Sequence, residues 1–166
     1  MKRTVDLVAR SHGPADTGTI AAAVADLTVA GDVIVLGGDL GAGKTAFTKA
    51  FGAALEVTDA ITSPTFTLHQ RYETGRLVVH HLDVYRIEQL DEVIDLALPE
   101  LFESGGVVVI EWGDTIAPAL PEGYLMVQLE FGDGDDERSL NFTGIGTAWQ
   151  ARIGRLREAL GEQAVV

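Results

Sequence analysis

The chain has 166 residues, 46% hydrophobic and 22% charged, which suits one soluble globular domain with a proper core and excludes disorder. Twelve basic against 25 acidic residues leave a net charge of −13, which argues against gripping nucleic acid directly, since phosphate neutralisation supplies most of that affinity. The lack of cysteine excludes disulfide and thiol chemistry, no apolar run reaches the roughly 20 residues of a membrane span, and no secretory signal opens the chain, so the cytoplasm is the expected compartment.

In chain order, Thr4 to Ala9 reads as a first strand. Asp16 or Thr17 is the expected cap of a helix running to Val29, with Ile20, Val24 and Leu27 on one face and Gly31 ending it. The apolar run Asp32-Val33-Ile34-Val35-Leu36 predicts a buried strand, and Thr45 to Leu55 predicts a helix. Between them stands Gly38-Asp39-Leu40-Gly41-Ala42-Gly43-Lys44-Thr45, a complete G-x-x-x-x-G-K-T loop in its required strand-loop-helix setting. Glycines at 38, 41 and 43 let backbone N–H groups converge on β- and γ-phosphates, and the helix start adds partial positive charge. Lys44 supplies a full charge, and the Thr45 hydroxyl is the expected magnesium ligand. These residues imply binding of a nucleoside triphosphate.

Further on, Phe66 to Glu73 and Arg76 to Tyr85 read as strands across a tight Thr74-Gly75 turn. A helix is expected over 87–98, with Pro99 just beyond, and a wholly apolar strand over Val107 to Ile110. Pro118 and Pro121 mark a loop. Tyr124 to Phe131 and Arg138 to Thr143 predict a hairpin across the acidic turn at 132–136, and Thr147 to Leu160 a closing helix before a loose six-residue end. The pattern is a three-layer α/β phosphate-loop fold, a mixed central sheet flanked by helices, in one domain over residues 1–166.

Phosphate chemistry needs a metal held by an acid and something to position the attacking group. Two predicted strands end in an acid, Asp83 and Glu111, and each is a candidate to reach magnesium directly or through water. Ser63-Pro64-Thr65-Phe66 occupies a place where nucleotide-sensing segments often lie, which makes the Thr65 hydroxyl a candidate contact. His80 and His81 do not read as a zinc pair, because adjacent strand residues point to opposite faces; neutral, hydrogen-bonded histidines are expected. His69 carries no signal, Tyr85 and Trp112 read as core or pocket-edge aromatics, and Arg152, Arg155 and Arg157 read as a solvated helix face.

The guanine-reading N-K-x-D motif is absent, since the only asparagine is Asn141, and so is an L-S-G-G-Q signature. ATP is therefore the expected nucleotide, by elimination. A small-molecule kinase is the first alternative, although no arginine-rich lid is evident. A nucleotide-gated binding module with incidental hydrolysis is the second.

The ordered blocks Gly38 to Thr45, Ser63-Pro64-Thr65-Phe66, His81-Leu82-Asp83-Val84-Tyr85-Arg86 and Glu111-Trp112 resemble the TsaE (YjeE) family. That resemblance implies a weak ATPase of the threonylcarbamoyladenosine pathway of tRNA modification, working with TsaD- and TsaB-like partners that hold the tRNA. It implies ATP and magnesium as cofactors. Asp39, Leu40, Gly41, Ala42, Gly43, Lys44 and Thr45 would hold the phosphates, with Thr45 and Glu111 as metal ligands. Asp83 would take the Walker B role, Thr65 the switch contact, and Trp112 would line the site. Which acid touches the metal directly stays open. Asp16-Thr17 and Arg138 are candidates for the adenine side.

Overall fold

The computed structural model describes residues 5–62, 69–85 and 97–165. Seven strands form one mixed sheet: β1 (Leu7–Ser11), β2 (Val33–Gly37), β3 (His69–Tyr72), β4 (Val79–Asp83), β5 (Val107–Glu111), β6 (Tyr124–Phe131) and β7 (Arg138–Ile145). Their spatial order is β1-β7-β6-β2-β5-β4-β3. β2 lies parallel to both β5 and β6, and β4 is parallel to β5. The β1–β7, β6–β7 and β3–β4 pairs are antiparallel.

Every residue of β2 and β5 is buried, so these strands sit mid-sheet and read as apolar runs rather than alternating ones, broken only by Glu111 at the end of β5. β6 and β7 alternate buried with part-buried residues, as a hairpin with one better-covered face should. Helices α1 (Pro14–Leu27), α2 (Lys44–Ala54) and α5 (Ile153–Leu160) cover one face of the sheet. They bury Ile20, Val24, Phe47, Phe51 and Leu156 against Leu36, Val109 and Phe142. The opposite face buries Val35, Leu82, Val108 and Ile110 beneath Leu98 of α3 (Leu98–Phe102) and Ile116 of a 3-10 stretch over Gly113–Ala119. A short α4 (Thr147–Gln150) precedes α5.

Several boundaries differ from expectation. α1 begins at Pro14 with no side-chain cap, because Asp16 instead accepts from the His12 amide at 2.9 Å and Thr17 bonds to Ser11 at 2.7 Å. The expected 147–160 helix breaks at 151–152. There Arg152 bridges to Asp32 at 2.6 Å, donates to the Leu27 carbonyl and stacks over Trp149 at 4.0 Å, so it is no solvated residue. β4 starts at Val79 rather than Arg76, because the hairpin tip docks on the helices: Arg76 donates to the carbonyls of Leu55 and Ala25. The tail is not loose, since Ala164 pairs with Ala9 and the Val165 amide bonds to Val8. Most of the helix expected over 87–98 lies outside the described residues.

Candidate functional site

Parallel pairing of β2, β5 and β4 puts their carboxyl ends on one edge of the sheet, the edge at which open α/β folds bind ligands. Gly37 ends β2 there, Asp83 ends β4 and Glu111 ends β5, with Asp83 and Glu111 in direct register. The glycine loop leaves β2 at this edge and returns as α2. Gly38 has φ +131°, and a Cβ there would run into the Leu129 carbonyl oxygen. Gly43, with φ +112°, supplies the left-handed turn that starts α2.

Lys44 is buried, and its ammonium donates to the carbonyls of Gly38 at 2.5 Å and Asp39 at 3.0 Å. It also lies 3.7 Å from the centroid of the Trp112 ring, a cation–π contact. Burial pushes its pKa below that of an ordinary lysine, while Glu111, Asp114, Asp83 and Asp39 pull the other way. The Thr45 hydroxyl, at the start of α2, donates to Glu111 Oε1 at 2.9 Å. Glu111 is only 2% exposed, and its other oxygen, Oε2, meets His81 Nε2. Asp83 Oδ1 accepts from the Tyr85 amide at 3.0 Å.

Trp112 holds a left-handed backbone, φ 64° and ψ 19°, which costs a non-glycine residue on the order of 1 kcal/mol. Its amide donates to the Leu36 carbonyl at 2.8 Å, and Thr115 donates to the Trp112 carbonyl through both hydroxyl and amide. These bonds hold the turn, and Tyr85 packs on the indole with ring centroids 4.8 Å apart. The aromatic pair stands at the pocket edge beside Glu111.

Two cavities flank the loop. One, of about 220 Å³, is lined by Leu40, Lys44, Thr45, Asp83, Glu111 and Trp112 among others. The second, of about 200 Å³, lies between Gly41, Ala42 and Gly43 of the loop, the entry of α1 at Gly13, Pro14 and Thr17, and Arg138 at the start of β7. Arg138 Nε donates to the Ala42 carbonyl at 3.2 Å, and its guanidinium lies over the Phe131 ring. Asp16 is not part of this wall, and Thr65 lies outside the described residues.

The first cavity offers hard oxygen donors only: a hydroxyl and two carboxylates. No group of three or more acid, histidine or cysteine side chains is gathered for a metal among the described residues. Such a partial set suits magnesium, which takes one or two carboxylates and completes its shell with phosphate oxygens and water. The residues present therefore fit that ion together with a phosphate chain.

Reading the sequence residue by residue missed the partners of this site. His81 reaches Glu111, Tyr85 covers Trp112 and Asp114 adds charge near Lys44. The two-residue period of a strand, which puts His81 on the same face as Asp83, was the available signal for the first. His69, without signal in the sequence, bonds to His80 at 2.9 Å on the far face, and Ser104 adds a second contact to His80.

The fold and the glycine loop place the molecule in the phosphate-loop class of α/β proteins. Within that class, the family model described as threonylcarbamoyl adenosine biosynthesis protein TsaE matches residues 11–140. A Bacillus subtilis protein named tRNA threonylcarbamoyladenosine biosynthesis protein TsaE is 43% identical over 141 residues, covering 85% of this chain and 87% of the relative. A Treponema pallidum protein of the same name is 41% identical over 128 residues, 76% of this chain and 94% of its own length. The crystal structure of Bacillus subtilis YdiB superimposes with a TM-score of 0.75 at 37% identity, covering 96% of this chain and 97% of that one. The chain belongs to the TsaE family.

Proposed function

We propose that this chain is a magnesium-dependent ATPase, slow on its own, that serves the threonylcarbamoyladenosine modification of tRNA as one domain spanning residues 1–166. The observation that carries the reading is the convergence of Lys44, Thr45, Asp83 and Glu111 on one cavity beside the glycine loop. Family membership supplies the pathway, since the relatives carry that biosynthesis in their names. TsaD- and TsaB-like proteins are the proposed partners, with tRNA reached through them. The net charge of −13 is in keeping with a subunit that leaves RNA contact to others. The cytoplasm is the proposed compartment, and no helix among the described residues is long and apolar enough to cross a membrane.

In this reading the loop amides of residues 39–45 and the Lys44 ammonium bind the β- and γ-phosphates. Thr45 and Glu111 hold magnesium, which when bound neutralises charge developing across those phosphates. Asp83, at the neighbouring strand end, would hold a water of that ion or orient the attacking one. Trp112 and Tyr85 shield the pocket edge from solvent. Arg138 and Thr17 take the nucleoside side through the second cavity, and Thr65 contributes the switch contact. Mass spectrometry of tRNA nucleosides from cells depleted of the protein tests the assignment. Threonylcarbamoyladenosine should fall, be restored by wild type and not by Lys44→Ala; an unchanged level on depletion sinks it.

A further inference from the structure

The two histidines of β4 face opposite sides of the sheet, and only one of them belongs with the site. His80 shares its face with Leu82 and bonds to His69 and Ser104. His81 shares its face with Asp83 and, through the register of β4 and β5, with Glu111. His81 is 0% exposed and lines neither cavity at the loop, so it cannot itself touch a phosphate or a metal there.

What it touches is Glu111. The carboxylate is held at both oxygens, Oε1 by the Thr45 hydroxyl at 2.9 Å and Oε2 by His81 Nε2. A carboxylate only accepts, so both partners donate, His81 through an Nε2–H. That leaves His81 Nδ1 buried, with no hydrogen-bond partner among the described residues. Core packing alone gives no reason for this arrangement, because an apolar side chain would fill the same space without the cost of a buried, unpartnered nitrogen. Among the described residues, the bond to Glu111 is what offsets that cost.

We infer that His81 is a positioning residue: it locks the rotation of the Glu111 carboxylate so that Oε1 stays turned toward Thr45, the side on which a nucleotide-bound magnesium is held. The inference rests on the nucleotide reading above. A ligating carboxylate that is itself hydrogen-bonded keeps its orientation, and loss of such a supporting group typically weakens metal affinity about 10- to 100-fold. Without the imidazole, Oε2 loses its donor and the carboxylate is free to turn away.

Manganese, as a spectroscopic stand-in for magnesium, tests this by electron paramagnetic resonance in the presence of a non-hydrolysable ATP analogue. His81→Leu removes the donor. His81→Gln returns an amide N–H near the place of Nε2, and His81→Asn offers one only near Nδ1, too short to reach Glu111. We expect manganese affinity to fall about 10-fold or more in His81→Leu and His81→Asn, and to stay near wild type in His81→Gln. Binding of the analogue without metal should be the same in all four proteins. Equal manganese affinity across the set overturns the inference, as does a loss in His81→Gln matching that in His81→Leu. If His81→Leu does not fold, the Asn and Gln variants decide between them. A wild-type protein that binds the analogue but no manganese overturns the nucleotide–magnesium reading instead.

Discussion

On one flank of the glycine loop, side chains carried by two strand ends and a helix start meet in a largely buried, hydrogen-bonded cluster: Lys44, Thr45, Asp83, Glu111 and Trp112. On the other flank, the wall is loop backbone, the entry of α1 and one arginine whose guanidinium binds the carbonyls of Ala42, Asp135 and Glu137. The first flank holds charged groups at fixed distances around a buried lysine and a buried carboxylate, where electrostatic effects are strong. The second offers shape and a few contacts, which suit holding a ligand more than transforming it. Chemistry on the phosphates and binding of the nucleoside should therefore separate by flank.

Substitution of Glu111 is the strongest way to sharpen that contrast. Glu111→Gln removes the charge yet keeps the shape, and is expected to lower ATP turnover about 100-fold while leaving nucleotide affinity within a few-fold. Phosphate release and calorimetric titration measure the two separately. An equal loss in both would mean that the flanks do not divide the work. Next in size, Arg138→Ala should weaken nucleotide binding about 5-fold, near the 1 kcal/mol of one hydrogen-bonding group, with turnover at saturation unchanged. A fall in saturated turnover would move Arg138 to the chemical flank.

The smallest effect concerns a region outside both flanks. His80 and His69 have pKa values pushed below an ordinary histidine, first by burial and then by neighbouring cationic or imidazole groups. The folded protein thus holds them neutral more firmly than the unfolded chain does. Their contribution to stability is present above pH 6.5, the ordinary value, and is lost as pH falls below it. Thermal melting at pH 7.5 and pH 5.5 checks this: His80→Phe should show a smaller acid-induced drop in Tm than wild type. An identical drop would show that the pair does not report on folding.

Much of the fold could be read ahead of the structure, for identifiable reasons. β2 and the Val107 to Ile110 run of β5 declare themselves because strands buried on both faces read as near-continuous apolar runs. The β6–β7 hairpin announces itself through alternation around an acidic, glycine-containing turn. What escaped reading was set by contacts between distant segments. Arg152 interrupts a segment of good helical pattern because it reaches Asp32, 120 residues away. Asp16 looked like a cap for α1 until the His12 amide claimed its carboxylate. Propensity and spacing are local quantities, and these outcomes are not.

The site divides in the same way. Its core motif is contiguous, and eight consecutive residues carry the complete G-x-x-x-x-G-K-T pattern by themselves. The acids at 83 and 111 were recognisable as strand ends, although nothing local brings them together. Register does, by pairing Asp83 with Glu111 across β4 and β5. The Thr45–Glu111 bond spans 66 positions and the His81–Glu111 bond spans 30. The sequence by itself determined the loop, the strands that frame it and the identity of the acids. Which oxygen faces which donor was decided only in the tertiary structure, because a hydrogen bond of about 3 Å depends on the packing of whole strands and helices rather than on neighbours in the chain.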